Sequence, residues 1–170
     1  MKKFLCLSLV LILSLSLNVS LAQSCPEDMK GQILADISVT TIDGSTFTLS
    51  ESLKSHDLVL INFWATWCGP FCMEFPYLEE AWEKYGDSVD VIALSVEETD
   101  SFETLRAFAS EYGLNFSIGR DDFNLFGNMY GYAIPTTLIV DKDRRVVSVE
   151  IGAQCSVEGF TNLFDSLLHE

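Results

Sequence analysis

The feature that most constrains the fold is an apolar run, residues 58–64, that leads almost directly into the cysteine pair Cys68 and Cys72. A nearly continuous apolar run of this length is typical of a strand buried on both faces of a sheet. Apolar residues recur at helical spacing from there to Tyr85, which places the pair at a strand-to-helix turn. Two cysteines at such a turn indicate thiol chemistry, although here three residues separate them instead of the more usual two.

Strand and helix patterns alternate along the rest of the chain. Residues 37–42 and 46–49, joined by Asp43-Gly44, predict a β-hairpin, and Ser50 is expected to cap a short helix that ends at Lys54. Further strands are predicted at residues 89–96, 116–118, 136–140 and 146–151, and further helices at residues 69–85, 100–112, 122–129 and 157–168. This alternation predicts an α/β fold in which helices flank a central mixed β-sheet, with the hairpin as an N-terminal extension.

Residues 1–22 have the features of a secretory signal peptide. Lys2 and Lys3 precede an apolar stretch that is short and rich in serine for a membrane-spanning helix, and residues 20–22 form a small-x-small cleavage site. We therefore expect an exported protein, periplasmic or extracellular, with one domain at residues 23–170. Two anchored forms stay open, one with an uncleaved signal segment and one with a lipid on Cys25.

The charge of the chain excludes some partners. Cleavage after Ala22 would remove Lys2 and Lys3 from the 10 basic residues and nothing from the 25 acidic residues, which leaves 8 against 25 and a net charge of −17. Nucleic acids and anionic membrane surfaces attract lysine and arginine, so neither is expected as a partner. The excess of acid is consistent with solubility.

Four cysteines remain once Cys6 leaves with the signal peptide. An even number in an exported protein allows two disulfides in three connectivities. Cys68 and Cys72 are neighbours, which leaves Cys25–Cys155 as a second, structural pairing. Lipidation of Cys25 would instead leave Cys155 alone.

The position of each cysteine on the helix suggests its role. Cys68 should stand at the helix N-terminus, where free N–H groups and the helix dipole favour a thiolate and hence a nucleophile. Cys72, one turn later, would resolve the mixed disulfide, since residues four apart have Cα atoms about 6 Å apart, within the range for a disulfide. An inert staple across one turn is the alternative, but it would close a tiny loop and stabilise little.

These motifs resemble the thioredoxin-like superfamily, and within it the exported thiol–disulfide oxidoreductases of the ResA/TlpA type, from about residue 32 to the C-terminus. Residues 62–70 are a strong match, and residues 74–76 and 134–141 match later segments of the family. The resemblance implies a thioredoxin-like fold with a cis-proline at Pro135 that faces Cys68. Pro135 and Ile134 would then present backbone to a substrate chain, together with Gly69 and Pro70 beside the cysteine.

The resemblance also suggests an acid for the site. Glu74 stands where exported members carry a buried acid near the cysteines, whereas Asn62 stands where cytoplasmic thioredoxins carry an aspartate. Glu74 is thus a candidate for tuning the thiol pKa and for moving a proton, a solvated glutamate being the alternative. Trp64 is expected in the core, and Trp67 is expected to be partly exposed and to contact substrate.

One feature departs from the family. The second family cysteine would fall at Phe71, yet the spacing from Cys68 to Glu74 is the family's own, so the second cysteine is displaced by one residue without an insertion. Either Cys72 resolves from a shifted position, or a local bulge returns it to the usual place, or Cys68 acts with another cysteine.

Three other functions are alternatives. Copper chaperones of the Sco type use this cysteine spacing, and soft thiolates suit Cu(I), but their histidine would fall at Ala133, while His56 and His169 lie elsewhere. A peroxiredoxin needs a proline and a threonine or serine where Ile61 and Ala65 stand. A redox-inert adapter would have little use for both cysteines.

We therefore expect an exported thiol–disulfide oxidoreductase with no cofactor and no metal, acting as a monomer on protein thiols and disulfides. Resemblance further implies a reductant, as in cytochrome c maturation, that is recharged by a membrane electron-donor oxidoreductase. No residue in the sequence fixes the direction of the reaction.

Overall fold

The computed structural model describes residues 25–69 and 74–169; the predicted signal peptide, Pro70 and Cys72 lie outside the described residues. The strands are β1 (Ser38–Thr40), β2 (Thr46–Thr48), β3 (Leu58–Trp64), β4 (Val89–Ser95), β5 (Ser117–Arg120), β6 (Thr136–Asp141) and β7 (Val146–Ile151). The helices are a 3-10 turn (Pro26–Met29), α1 (Leu49–Ser52), α2 (Phe75–Tyr85), α3 (Phe102–Tyr112), α4 (Leu125–Asn128) and α5 (Val157–Leu168).

The central sheet has the strand order β5-β4-β3-β6-β7. β3, β4 and β5 are parallel, whereas β6 is antiparallel to β3 and β7 is antiparallel to β6. The register pairs Trp64 with Ser95 and Phe63 with Thr136, so the carboxyl ends of β3 and β4 meet the start of β6. This is the predicted mixed sheet, and it brings the segment after β3 beside the segment before β6.

The burial of β3 explains why its sequence is apolar except at Asn62. Every residue of the strand is buried. Leu60 and Trp64 point to a core shared with α2, α3 and α5, while Ile61 and Phe63 point to a second core under the hairpin and α4. A central strand covered on both faces needs apolar side chains at both alternating sets of positions.

The predicted hairpin is confirmed. β1 and β2 pair antiparallel, and Gly44 in the connecting turn has a φ of 86°, a conformation that glycine adopts without steric cost. The expected role of Ser50 is wrong. Helix α1 begins at Leu49 after Thr48, and the Ser50 N–H and hydroxyl donate to the carboxylate of Asp36, which satisfies the helix start from outside.

The long helices end where their sequence signals predict. Gly113 closes α3 with a φ of 67°, as a left-handed C-cap. The start of α3 differs from the prediction: Ser101 caps the helix by accepting from the N–H of Thr104, which leaves Asp100 before the helix and buried. Within the described ranges, no helix has both the length and the apolar character that crossing a membrane requires.

Candidate active site

Cys68 lies in the tight turn that follows β3. Its backbone N–H donates to the carbonyl of Ala65 at 3.0 Å, and the next residue, Gly69, already has helical backbone. The side chain is 6% exposed and belongs to the core on the α2 face. The turn thus holds the thiol at the surface of the core and at the start of helical structure, where backbone N–H groups favour a thiolate.

A buried carboxylate accepts hydrogen bonds from this turn. Asp100 accepts from the Thr66 N–H at 3.2 Å, from the Thr66 hydroxyl at 2.6 Å and from the Ser95 hydroxyl at 2.6 Å. The sequence pattern predicts Asp100 as the first residue of a helix and does not reveal this contact. The only local signal was a polar loop after a buried strand, and such loops carry many acids with no such role.

Trp67 projects outward from the same turn. Its ring is 66% exposed, and its indole N–H donates to Glu97 Oε2 at 2.8 Å. The expected exposure of Trp67 is confirmed, as is the burial of Trp64 in the core. Glu97 is therefore a second acid, from the loop after β4, that fixes a residue beside Cys68.

The segment before β6 meets Cys68 across the site. The Cys68 sulfur lies 3.7 Å from the carbonyl oxygen of Ile134, and the Ile134–Pro135 peptide bond is cis, as the resemblance implies. Thr136 holds this bend through its hydroxyl, which donates to the Ala133 carbonyl at 2.7 Å. The structure therefore brings Trp67, Cys68, Ile134 and Pro135 together.

Glu74, six residues after Cys68, is also buried. The residue is 1% exposed, which excludes the alternative of a solvated glutamate. Loss of hydration raises the pKa of its carboxyl group from 4.5 to about 8, although the Gln154 N–H donates to it and acts in the opposite direction. Within the described residues, Glu74 Oε2 has no hydrogen-bond partner. A carboxyl group with such a pKa can both hold and release a proton near neutral pH.

A cavity borders this carboxyl group. It has a volume of about 340 Å³ and is lined by Glu74, Thr137, Gln154 and Phe160, among others. Thr137 also accepts, at 2.9 Å, a hydrogen bond from the side-chain amide of Asn62, which is fully buried. The Asn62 side chain cannot ionise, in contrast to the carboxyl group of Glu74.

Cys72 and Pro70 lie outside the described residues, so the predicted Cys68–Cys72 contact stays a prediction. Cys25 and Cys155 are free thiols here and are not bonded to each other. Each is engaged locally: the Cys25 thiol donates to Glu27, and the Cys155 sulfur lies 3.9 Å from the Ala153 carbonyl oxygen. A Cys25–Cys155 bridge would have to replace both contacts.

The described residues offer few side chains that could bind a metal ion together. Across residues 25–69 and 74–169, no three His, Cys, Asp or Glu side chains are grouped to hold an ion. His56 lies near the start of β3, at the end of the sheet remote from Cys68, where Nδ1 is 2.9 Å from the Ser52 carbonyl oxygen and 4.0 Å from Asp90 Oδ2. His56 is thus not placed to join Cys68.

Comparison with known proteins is consistent with this architecture. Residues 30–149 match the AhpC/TSA family. The thiol-disulfide oxidoreductase ResA of Bacillus thuringiensis (strain Al Hakam) is 34% identical over 160 residues, covering 89% of this chain and 90% of that protein. The thioredoxin-like protein YneN of Bacillus subtilis (strain 168) is 32% identical over 130 residues, covering 76% of this chain and 75% of that protein.

Solved structures agree on the fold. A thiol:disulfide interchange protein of the thioredoxin family from Chlorobium tepidum TLS superposes with a TM-score of 0.71 at 23% identity, covering 82% of this chain and 97% of that one. StoA from Bacillus subtilis superposes with a TM-score of 0.64 at 20% identity, covering 76% and 96%. At these identities the likeness establishes the thioredoxin-like fold.

Proposed function

The chain belongs to the AhpC/TSA family and is a thioredoxin-like thiol–disulfide oxidoreductase, and we propose that it exchanges disulfides with cysteines of other proteins through Cys68 and Cys72. The observation that carries this proposal is the position of the Cys68 sulfur, 3.7 Å from the Ile134 carbonyl oxygen, beside the backbone of Pro135. An extended substrate segment that bonds to this backbone would bring its own sulfur against that of Cys68.

In the first step, the Cys68 thiolate attacks one sulfur of a substrate disulfide. A Cys68–substrate mixed disulfide forms and the other substrate sulfur leaves as a thiolate. The Cys72 thiolate then attacks the Cys68 sulfur, which releases the second substrate sulfur and leaves a Cys68–Cys72 disulfide. Two electrons pass from the protein to the substrate, and a dithiol donor must return them before the next cycle.

Glu74 would move the protons. With a pKa of about 8 it is mostly protonated at pH 7, so it can protonate the first leaving thiolate. The carboxylate so formed can accept the proton of Cys72, which becomes the second nucleophile. The proton count then balances without free hydroxide entering a largely buried site.

Three further parts of the proposal rest on the sequence and its relatives. The signal-peptide features of residues 1–22 support export. The reducing direction, as in cytochrome c maturation, is what the resemblance to the ResA/TlpA type implies. A membrane thiol oxidoreductase is then the electron donor. The protein would act as a monomer, because one chain supplies every residue that the mechanism names.

The test is to trap the mixed disulfide. When the reduced Cys72→Ser variant is mixed with a disulfide substrate such as insulin, it should accumulate a mixed disulfide with that substrate. The Cys68→Ser variant should form none. Cys155→Ser is the matched control and should turn insulin over normally. Mapping of disulfides across glutathione buffers should find a reversible Cys68–Cys72 bridge. If the two cysteines never pair, and the reduced protein instead binds Cu(I) stoichiometrically without reducing insulin, the proposal is wrong.

A further inference from the structure

Basic side chains are unevenly distributed over the fold. Lys142, Arg144 and Arg145 lie in the turn between β6 and β7, and the pairing of Leu58 with Asp141 places that turn at the amino end of β3, opposite Cys68. Lys84 lies in the last turn of α2, which leads to the same remote end. The cations of these elements therefore lie far from the thiol.

Among the strands of the central sheet, one basic residue stands at the thiol end, while the Arg106 guanidinium of α3 donates to the Ile42 carbonyl at 2.6 Å. Arg120 is the last residue of β5 and pairs in register with Ser95, close to the carboxyl end of β3. Its guanidinium is already occupied: Nη2 is 2.7 Å from Asp122 Oδ1, and Cζ lies 5.6 Å from the centroid of the Phe102 ring. This cation is therefore neutralised locally.

Several acids stand at the thiol end. The loops after β4 and β5 contribute Glu97, Glu98, Asp121 and Asp122, which line an open cleft of about 520 Å³ together with Arg120. The Trp67 indole N–H that binds Glu97 holds the pKa of its carboxyl group below the usual value, so Glu97 is ionised. No ion pair of the described residues involves Glu97.

Exposed aromatic rings accompany these acids. Tyr132, two residues before Ile134, is 64% exposed, and its hydroxyl donates to Glu27 Oε1 at 3.0 Å. Trp67, which precedes Cys68 in the chain, makes the equivalent contact with Glu97. We call Trp67, Glu97, Tyr132 and Glu27 the aromatic–acid rim. Each half of the rim places a carboxylate at the polar edge of an exposed ring.

We propose that the aromatic–acid rim selects polypeptide segments in which the reactive cysteine is flanked by lysine or arginine. The inference rests on the proposed function and names its substrate class. A lysine or arginine next to the target cysteine can lie over the Trp67 or Tyr132 ring and pair with the carboxylate at its edge. An aspartate or glutamate next to the target cysteine would instead be repelled by the carboxylates of the rim.

The size of the expected preference depends on how exposed the contacts of the rim are to solvent. Each contact is solvated, so one charge pair or cation–π contact should change binding about two- to fivefold, and the two halves of the rim together about tenfold. Because exposed charges are screened within about 10 Å at 0.1 M salt, the preference should weaken as salt is added. The aromatic contribution should persist.

The test compares two disulfide-containing peptides that differ only in their flanks, one with lysine and one with glutamate on each side of the cysteine. We expect kcat/KM of the purified protein to be about tenfold higher for the lysine peptide at low salt, and the ratio to fall in 0.5 M NaCl. Glu97→Gln and Glu27→Gln should each lower the ratio two- to fivefold, because glutamine can still accept the indole or hydroxyl hydrogen bond but carries no charge.

Glu83→Gln is the control, because Glu83 is exposed on α2 near the remote end. This substitution changes the net charge by the same amount as Glu97→Gln or Glu27→Gln. It should leave the ratio unchanged. Equal rates for both peptides, or an equal fall of the ratio in Glu83→Gln, would overturn the inference and leave the oxidoreductase intact. Failure to reduce either peptide would instead contradict the proposed function.

Discussion

Asp100 accepts two hydrogen bonds from Thr66, one from the backbone N–H at 3.2 Å and one from the hydroxyl at 2.6 Å. Thr66 lies two residues before Cys68, and Asp100 belongs to a loop 34 residues further along the chain. Because the carboxylate is buried and also accepts from Ser95, it fixes the backbone that carries the thiol. Asp100 is therefore a positioning residue for the turn.

Asp100→Asn should loosen this turn. The amide has one acceptor oxygen where the carboxylate has two, so a buried donor loses its partner at a cost of about 1–3 kcal/mol in the free energy of unfolding. We also expect slower insulin reduction and a changed pH profile for alkylation of Cys68. Asp143→Asn, an exposed change in the β6–β7 turn, is the control. Equal alkylation profiles in both variants would contradict the positioning role.

Glu74→Gln should change how stability depends on pH. The pKa of Glu74 is raised from 4.5 to about 8 in the folded protein, so the folded state binds the proton more tightly than the unfolded state. The associated stability is fully present below about pH 4.5 and is lost as pH rises through 8, by up to about 5 kcal/mol at 1.36 kcal/mol per pKa unit.

Urea unfolding at several pH values measures this effect. The variant should match the native protein near pH 4.5 and exceed it in stability above pH 8, because a neutral amide has no proton to lose. It should also lower turnover through loss of proton transfer, with a flatter pH–rate profile near pH 8. Glu83→Gln, exposed on the same helix, should unfold in parallel with the native protein. Parallel curves for Glu74→Gln would exclude the raised pKa.

The two outlying thiols should react at different rates with iodoacetamide. Cys155 is exposed, whereas Cys25 is partly buried and donates to Glu27, which raises the pKa of the Cys25 thiol. Since the thiolate is the reactive form, Cys25 should require higher pH for alkylation. Peptide mass spectrometry of the labelled protein reports both sites. If neither thiol reacts until a reductant is added, the predicted Cys25–Cys155 bridge forms in solution.

Phe75 should carry much of the stability of the α2 face. Its ring is fully buried and lies edge-on to Trp64 at a centroid distance of 4.9 Å and 5.4 Å from Phe116. Phe75→Ala should cost about 3–5 kcal/mol in the free energy of unfolding, because a cavity forms in a close-packed core. Tyr77→Ala, on the exposed side of the same helix, should cost far less. Chemical denaturation distinguishes the two, and similar costs would refute the packing argument.

Much of the fold could be predicted from local patterns. The apolar run of β3, the turn at Gly44 and the C-cap at Gly113 all identify their elements, because periodicity and backbone preference act over a few residues. The predictions that are wrong concern helix starts, where neighbouring residues compete to cap the first turn. Ser50 looked like a cap, but the chain after Thr48 was already helical and Asp36 supplied the acceptor.

Local sequence patterns predict the order of the elements and the turn that carries Cys68, and the family resemblance predicts the cis bond at Pro135. The distant groups that surround this cysteine become visible in the folded chain alone: Ile134 from 66 residues away, Asp100 behind the turn and the Glu97–Trp67 pair. These contacts depend on strand order and register, and a one-residue slip would turn each side chain to the opposite face. The burial of Glu74 also depends on the tertiary structure, because the groups packed around its carboxyl group exclude water and thereby raise its pKa.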